Sequence, residues 1–226
     1  RHVRRRLTLT RNIIVSADGP PLDCDLCPRL VAYREANAAT WPDWHNAPVR
    51  SFGPLDAQLL IVGLAPGVKG ANRTGRPFTG DYAGDLLYQT LGRFGFADGT
   101  YDKRPDDGVT LTDCRIANGV RCVPPENKPV GAEVNACRPF LVAEIEAMKN
   151  LKVILALGGI SHNTTLSTLG ERRASYKFAH CVMHDLTNGL KLADSYHCSR
   201  YNTNTGRLTE EMFEDVFRMI RTTLDG

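Results

Sequence analysis

The sequence predicts an α/β protein, a three-layer α/β/α sandwich around a central, mainly parallel, four-stranded sheet. Short apolar runs of strand length alternate with segments in which apolar residues recur at helical spacing. Several of the apolar runs end in turns rich in Gly, where a strand cannot continue. Because strands that alternate with helices form parallel sheets covered on both faces, these observations predict the layered architecture.

Each predicted element corresponds to one such segment. The predicted strands are the runs 59–63, 109–118 and 153–157, with one further strand inside 178–197. The predicted helices cover 29–37, 83–94, 130–148, 160–169 and 209–224, and a polar excursion covers 95–108. In parallel sheets ligands bind beyond the carboxyl ends of the strands. We therefore expect functional residues in the loops 63–81, 118–122, 158–163 and 197–207.

The composition is that of one globular domain. The chain has 226 residues, of which 42% are hydrophobic and 23% charged, and these fractions are ordinary for such a domain. Residues 1–22 begin with the basic stretch RHVRRR and are predicted to form an arm before a single domain at 23–226. No apolar run approaches the length of a membrane span, so we expect no membrane contact. A cytoplasmic location and a monomeric state are also expected.

Seven cysteines are more than an intracellular chain of this size needs for packing. Cys24 and Cys27 form a C-x2-C pair before Pro28, and Cys122 and Cys137 form a second, more widely spaced pair. Four thiolates suit zinc or an iron–sulfur cluster, and spacing alone does not choose between them. The alternative for Cys122 and Cys137 is burial as small apolar side chains.

Three further blocks lie where predicted strands end. The first reads GLAPG at 63–67 and continues as GRPFTGD at 75–81. The second reads NGVRC at 118–122 with NKP at 127–129, and the third reads HCS at 197–199 followed by NTNTGRL at 202–208. With the cysteine pairs, these blocks resemble the uracil-DNA glycosylase superfamily over roughly residues 22–220. Among its iron–sulfur branches the chain is most similar to family 5, the B-type enzymes.

The resemblance implies an activity, a cofactor and a partner. It implies a monofunctional DNA repair hydrolase that cleaves the N-glycosidic bond of uracil, and of other deaminated bases, in DNA after base flipping. It also implies a 4Fe–4S cluster held by Cys24, Cys27, Cys122 and Cys137. Two positions depart from the superfamily pattern. Leu64 stands where a better-known branch has an acidic residue, which matches family 5, and Cys198 replaces the usual Pro of the last motif.

The resemblance and the chemistry of the reaction together assign roles to three pocket residues. Phe78 is predicted to stack on the extruded base, although core packing is the alternative for any Phe. Asn118 is predicted to pair with the edge of uracil, because a carboxamide both donates and accepts hydrogen bonds, whereas an Asn before Gly also forms turns. His197 is predicted to donate to uracil O2 as negative charge develops there.

Glycosidic cleavage passes through an oxocarbenium-like state, so an oriented water and a carboxylate near the sugar help the reaction. Asp81 is the candidate, since Leu64 cannot serve, and its alternative role is to cap the helix that starts near Ala83. Main-chain groups of 63–67 are a second way to hold the water. The predicted substrate-binding residues share the first, middle and last motifs: Gly63, Leu64, Ala65, Gly67, Phe78, Asn118 and His197.

Arginines and a polar loop supply candidate contacts to the DNA backbone. The predicted DNA-binding residues are Arg73, Arg76, Ser199, Arg200, Tyr201 and Arg207. Arg200 or Tyr201 is the candidate wedge for the gap that the flipped base leaves, and an ordinary polar loop is the alternative.

Two other functions use the same residues. A non-catalytic module could bind damaged DNA without releasing a base. A zinc-stabilised nucleotide-binding protein could hold phosphate in the Gly-rich loop, but no GK[ST] ends that loop as a Walker motif requires.

Overall fold

The computed structural model describes residues 15–226, so most of the predicted arm at 1–22 lies outside the described part. In chain order the strands are β1 (Leu59–Gly63), β2 (Ala97–Asp98), β3 (Thr110–Leu111), β4 (Cys114–Asn118), β5 (Val153–Leu157), β6 (Val182–Asp185) and β7 (Lys191–Ser195). The helices are α1 (Pro28–Thr40), α2 (Ala71–Thr74), α3 (Tyr82–Arg93), α4 (Gly131–Ala147), α5 (Gly159–Thr168), α6 (Arg200–Asn204) and α7 (Glu210–Asp225). Short 3-10 helices cover Pro125–Asn127 and Arg173–Ser175.

The central sheet has five strands in the order β4-β1-β5-β7-β6. Neighbours among the first four strands are parallel, and β6 runs antiparallel to β7. The mainly parallel α/β architecture is confirmed, but the expected number of four strands is wrong. The segment 178–197 holds two strands because Asn188-Gly189 folds it into a hairpin, with Gly189 at φ +85°.

Two other segments also differ from their prediction. The predicted strand at 109–118 is interrupted at Asp113, whose φ is +54°. The first half, β3, pairs with β2 in a small separate hairpin, and only β4 joins the central sheet. The predicted loop after His197 contains the short helix α6.

Helices cover both faces of the sheet, which confirms the three layers. Along β1, Leu59 and Ile61 face a core shared with α3 and α7. Leu60 and Val62 face the opposite core, to which α4 and α5 contribute. All five residues of β1 are buried, as are those of β4 and β5. Burial on both faces explains the uninterrupted apolar runs of β1 and β5, whereas β4 also holds the buried polar residues Arg115 and Asn118.

The N-terminal segment is fastened to the loop that follows β4. Pro28 occupies the first turn of α1, where its missing N–H costs nothing. Leu30 of α1 is 1% exposed and packs with Val120 and Cys122 in a third, small apolar cluster. The fold thereby places the first cysteine pair beside the second.

A buried ion network holds β4 and the loop after it against α4. Glu144 accepts hydrogen bonds from Arg115 Nε at 2.5 Å and from Arg121 Nη2 at 2.6 Å, and Arg121 Nη1 also donates to Ser51 Oγ. Burial alone would raise the pKa of Glu144, but Arg121 and Arg115 outweigh it and keep the carboxyl ionised. The carboxylate therefore fixes the position of the 118–122 loop.

No helix in the described range 15–226 is long and apolar enough to cross a membrane.

We expect Glu144→Gln to lower the free energy of unfolding by about 3–5 kcal/mol, because two buried guanidinium groups lose their counter-charge. Urea unfolding followed by circular dichroism measures the change. The matched control is Glu211→Gln on the exposed face of α7, for which we expect less than about 1 kcal/mol. Equal effects of the two substitutions would contradict the structural role of the network.

Candidate active site

A cavity of about 390 Å³ opens at the carboxyl ends of β1, β4 and β7. It brings the first, middle and last sequence motifs together. The residues that line it are Leu64, Ala65, Pro66, Gly67, Ala71, Phe78, Asp81, Tyr82, Ala83, Asn118, Asn127, His197, Ser199 and Arg200. Its volume is in the range of cavities that bind small ligands.

Asn118 ends β4 with its side chain aimed into this cavity. The residue is 3% exposed, and its Oδ1 has no hydrogen-bond partner. Buried polar atoms in folded proteins nearly always have a partner, so an orphaned amide oxygen at a cavity wall indicates a ligand that supplies one. The amide can offer donor and acceptor side by side.

Gly63 lets Asn118 and Phe78 reach this position. It pairs directly with Asn118 in the parallel register of β1 and β4. A Cβ atom at Gly63 would lie 2.4 Å from Asn118 Oδ1 and 2.6 Å from Phe78 Cζ. Both distances are shorter than any normal contact, so a side chain at this position would displace the two residues.

Phe78 lies in the loop between α2 and α3 in a strained conformation. Its φ is +52°, in the left-handed region that non-glycine residues rarely adopt. The ring is 8% exposed and stacks against the His197 ring, with centroids 5.9 Å apart. The Phe78 carbonyl accepts a hydrogen bond from Tyr101 Oη at 3.2 Å, which helps to hold the strained backbone.

His197 follows β7 and faces the cavity from the side of the last motif. Burial lowers the pKa of its imidazole to about 4. The ring is therefore neutral at neutral pH and has one N–H to donate. It can stabilise negative charge on a ligand through that hydrogen bond without acting as a proton donor of ordinary acidity.

Asp81 occupies the position before the first turn of α3, but its carboxylate makes no capping hydrogen bond of normal geometry. Its Oδ1 is buried without a partner. Burial raises the pKa of Asp81, and the amides of Gly84 and Ala83 partly oppose the shift. A Cβ on Gly70 would lie 2.2 Å from Asp81 Oδ2, so the carboxylate lies directly against the Gly-rich loop.

The first motif forms one wall of the cavity with few polar side chains. Leu64, Ala65 and Gly67 line it, as the sequence predicts for substrate-binding residues. Hydrogen bonds from Gly119 N to Gly63 O and from Val120 N to Leu64 O tie this wall to the middle motif. The polar side chains that line the cavity come mainly from outside the wall at 63–67, among them Asp81, Asn118 and His197.

Two polar cavity residues, Tyr82 and Asn127, have no assigned role in the sequence-based prediction. Tyr82 directly follows Asp81, and the Arg200 guanidinium lies over its ring at 5.3 Å. Asn127 reaches the cavity from the loop after two prolines, with φ +56°. The available signal was its position inside the middle motif, in the segment after Pro124-Pro125 that the structure folds into a short 3-10 helix.

Most of the predicted DNA-binding residues lie around the cavity or on the adjoining surface. Ser199 caps α6 by accepting a hydrogen bond from Asn202 N and also lines the cavity. Tyr201 is 73% exposed, and Arg200 and Arg207 are exposed as well. Arg73 lies on α2 with its Nη2 3.4 Å from Gly80 O.

Arg76 does not reach this surface, so its prediction as a DNA contact is wrong. The residue is 5% exposed, and both terminal nitrogens donate to Asp107 at 2.8 Å. Its guanidinium lies 5.1–5.8 Å from the centroids of three aromatic rings, those of Phe52, Tyr88 and Tyr101. The sequence did not reveal the buried carboxylate that binds this arginine.

The two cysteine pairs meet beneath the middle motif. Cys24, Cys27, Cys122 and Cys137 are free thiols that line one small apolar recess. Burial, with Cys122 and Cys24 nearby, raises the pKa of Cys27 to about 11. Arg34 Nη1 donates to Cys122 Sγ at 3.0 Å, and Arg121 N donates to Cys137 Sγ at 3.4 Å. Such N–H···S contacts surround thiolates that bind metal clusters.

Four thiols that line one recess form a ligand set that suits an iron–sulfur cluster or zinc.

Comparison with known proteins shows the family of this chain. Residues 50–221 match the family model of the uracil DNA glycosylase superfamily. The type-5 uracil-DNA glycosylase of Thermus thermophilus is 41% identical over 85% of this chain and 90% of its own length. The chain belongs to the type-5 uracil-DNA glycosylases. The type-5 enzyme of Mycobacterium leprae is 42% identical, with coverages of 86% and 89%.

More distant relatives include the type-4 branch. The type-4 uracil-DNA glycosylase of Pyrobaculum aerophilum is 36% identical over 66% of this type-5 chain and 63% of its own length.

We expect the imidazole of His197 in this type-5 glycosylase to titrate near pH 4. Because the unfolded chain binds this proton near pH 6.5 and the folded protein does not, stability falls as pH drops from 6.5 towards 4. Imidazole NMR of the folded protein, with His197→Asn to assign the signal, measures the pKa. A value near 6.5 would show that the ring is solvated.

Proposed function

We propose that this type-5 glycosylase hydrolyses the N-glycosidic bond of uracil in DNA as a monofunctional DNA repair enzyme. The observation that carries the proposal is the orphaned amide of Asn118, in one cavity with a neutral His197 and the ring of Phe78. The type-5 relatives are named for uracil-DNA glycosylase activity. The arrangement also fits the chemistry of the reaction.

The target base must leave the duplex, since its glycosidic bond is inaccessible inside the stack. A flipped pyrimidine would enter the cavity and pack against Phe78, whose position is held by its own backbone and by Gly63. The Asn118 amide would accept from uracil N3–H and donate to O4. Cytosine presents the opposite pattern at these two atoms and would leave the buried amide unpaired, which supports selection against the normal base.

Bond cleavage leaves negative charge on the departing uracil. His197 carries one proton on a neutral ring and would donate a hydrogen bond to O2 as this charge grows. Because the ring is already desolvated in the free protein, the interaction requires little reorganisation during the reaction. His197 therefore stabilises the leaving group electrostatically.

The sugar develops positive charge in the same step, so a carboxylate near it is favourable. Asp81 is the proposed carboxylate, since its Oδ1 has no competing hydrogen bond. Leu64 is apolar and cannot orient water through its side chain. Main-chain groups of 63–67 are the proposed additional contacts for the attacking water.

Contacts to the DNA backbone are proposed for the exposed rim of the cavity. Arg73, Ser199, Arg200 and Arg207 would bind phosphates, and Tyr201 is the proposed wedge because its large side chain is almost free of protein contacts. Arg76 is excluded from this set by its burial. The arm at 1–22 stays a prediction, as do the monomeric state and the cytoplasmic location.

The four cysteine thiols are the proposed ligands of a 4Fe–4S cluster within the single domain at 23–226. Their convergence in one recess and the N–H···S contacts support this assignment. When bound, the cluster supplies a covalent cross-link and no redox step, because glycosidic hydrolysis transfers no electron. Cys24 and Cys27 would anchor α1, while Cys122 and Cys137 would anchor the loop that carries Asn118.

We expect the protein to release free uracil from a duplex oligonucleotide with one uracil, in the presence of a chelator that stops magnesium-dependent nucleases. Alkali-labile scission and detection of free uracil measure the reaction. His197→Asn is expected to lower kcat about 100–1000-fold. Binding without release in the wild-type protein would instead favour the non-catalytic damage-binding module.

Asn118→Asp tests the base-reading role, because it removes the donor and places a negative charge beside the leaving anion. We expect a loss of at least about 100-fold in kcat/KM on uracil. The matched control is Asn135→Asp on the exposed side of α4, where activity should not change. The same oligonucleotides with hypoxanthine or xanthine test the predicted wider substrate range. Retained uracil release in Asn118→Asp would refute the assigned role.

We expect Gly63→Ala to abolish base release while the fold persists, since the new Cβ would overlap Asn118 and Phe78. Base-release kinetics and circular dichroism measure the two properties. Gly131→Ala is the control, because a Cβ there meets no atom within 4 Å. Full activity in Gly63→Ala would mean that the cavity can rearrange at no cost.

We expect the protein purified without oxygen to contain four irons and four acid-labile sulfides per chain. Cys137→Ala should lose most of the iron, because a cuboidal cluster needs all four thiolates. Elemental analysis measures the iron content. The control, Cys181→Ala, removes a half-buried thiol outside the group and should retain it. Zinc instead of iron in the wild-type protein would contradict the proposed cofactor.

A further inference from the structure

A second group of metal-ligating side chains lies away from the cavity, between α5 and the β6–β7 hairpin. It consists of His162 on α5, His184 on β6 and Asp194 on β7. One ligand atom from each lies within 4.8 Å of the others. His162 Nδ1 is 2.8 Å from Asp194 Oδ1, and His184 Nε2 is 3.1 Å from Asp194 Oδ2. Base release as proposed uses none of these residues.

The hydrogen bonds of His162 indicate a cation between its Nδ1 and the carboxylate of Asp194. Its Nε2 lies 3.1 Å from the carbonyl oxygen of Tyr176, which can only accept, so this nitrogen carries a proton. In a neutral ring, Nδ1 then holds a lone pair that faces the Asp194 carboxylate. Two acceptors 2.8 Å apart require a cation between them, and that cation is either an extra proton or a metal ion.

The surroundings have the features of a metal site. A histidine that binds a metal usually donates its other N–H to a backbone carbonyl, as His162 does to Tyr176. The ring of Phe178 meets His162 edge-on at 5.7 Å, and the ring of Tyr176 meets His184 at 5.8 Å. This aromatic shell keeps the local dielectric low and strengthens a bond between a cation and a carboxylate.

The charge of Asp194 supports the same conclusion. The side chain is fully buried, and its ion-pair partners in the described structure are these two histidines. A buried carboxylate is unfavourable without a compensating positive charge. The His184 side chain is 14% exposed, which gives an ion a way in from solvent.

We propose that His162 Nδ1, His184 Nε2 and the Asp194 carboxylate bind a divalent zinc ion. Two imidazoles and one carboxylate are a common zinc ligand set, with water in the fourth position. On binding, Zn²⁺ replaces the proton between His162 and Asp194, that proton goes to solvent, and no group changes oxidation state. The ion links α5 to the β6–β7 hairpin, and His197 lies three residues after Asp194.

The test uses holoprotein with a full iron content, so that the four cysteines are not available to zinc. The protein is freed of loosely bound metal with a mild chelator and titrated with zinc sulfate by calorimetry in two buffers of different ionisation enthalpy. We expect one zinc per chain, bound in the micromolar range or tighter, with proton release to the buffer. His184→Leu and Asp194→Asn should each weaken binding at least about tenfold.

The matched control is His180→Leu, the same substitution four residues earlier in the chain and outside the group. It should bind zinc like the wild type, and unchanged iron content and circular dichroism establish that each variant is folded. Absence of zinc uptake by the wild-type protein would overturn the proposal and assign the position to a proton. Zinc binding by His184→Leu and by Asp194→Asn that is as tight as in the wild type would also overturn it. The readout is metal content, so it is independent of base release.

Discussion

The close approach of two neighbouring parallel strands determines the geometry of the whole active site. β1 and β4 are in register, so their last residues, Gly63 and Asn118, lie side by side where both strands end. Only a residue without a Cβ can stand opposite an inward-facing Asn here, because the space above Gly63 is filled by the amide and by Phe78. The buried ion network under the same loop prevents β4 from shifting to relieve this contact.

A single apolar environment gives the two titratable groups of the site opposite pKa shifts. Burial lowers the pKa of His197 and raises that of Asp81, because in both cases the charged form loses its hydration. For the histidine the result is a neutral donor. For the carboxylate it is a higher affinity for any cationic group that comes near, including a sugar that develops positive charge. The weakly polar wall of Leu64 and Ala65 thus shapes the chemistry without taking part in it.

The sequence predicted those parts of the fold and site that depend on local pattern. The buried strands β1 and β5 were predicted with their observed limits, because continuous apolar runs between turn residues have few other interpretations. Asn118, Phe78 and His197 were found through motifs at strand ends. The hairpin at β6–β7 was missed because its first strand is half-buried and lacks a clear apolar pattern.

Long-range partners were the main source of error. From the sequence, Arg76 is expected to be an exposed cation in a Gly-rich loop. In the fold, however, Asp107 and three aromatic rings surround its guanidinium. Likewise, His162, His184 and Asp194 are unremarkable in sequence, since no spacing rule links a helix to a hairpin. Contacts between distant segments depend on the packing of layers, and single-residue patterns contain no information about that packing.

The attachment of α1 to the middle motif also constrains the order in which the chain can fold. Arg34 and Cys122 are 88 positions apart, and Leu30 packs on a loop that forms only when β4 has joined β1. A segment made early in synthesis therefore has no surface to dock on until much of the domain exists. Closing so long a loop costs conformational entropy, and the contacts that offset this cost exist only once the sheet has formed. The helix α1 can therefore dock only after the chain as far as the 118–122 loop is available.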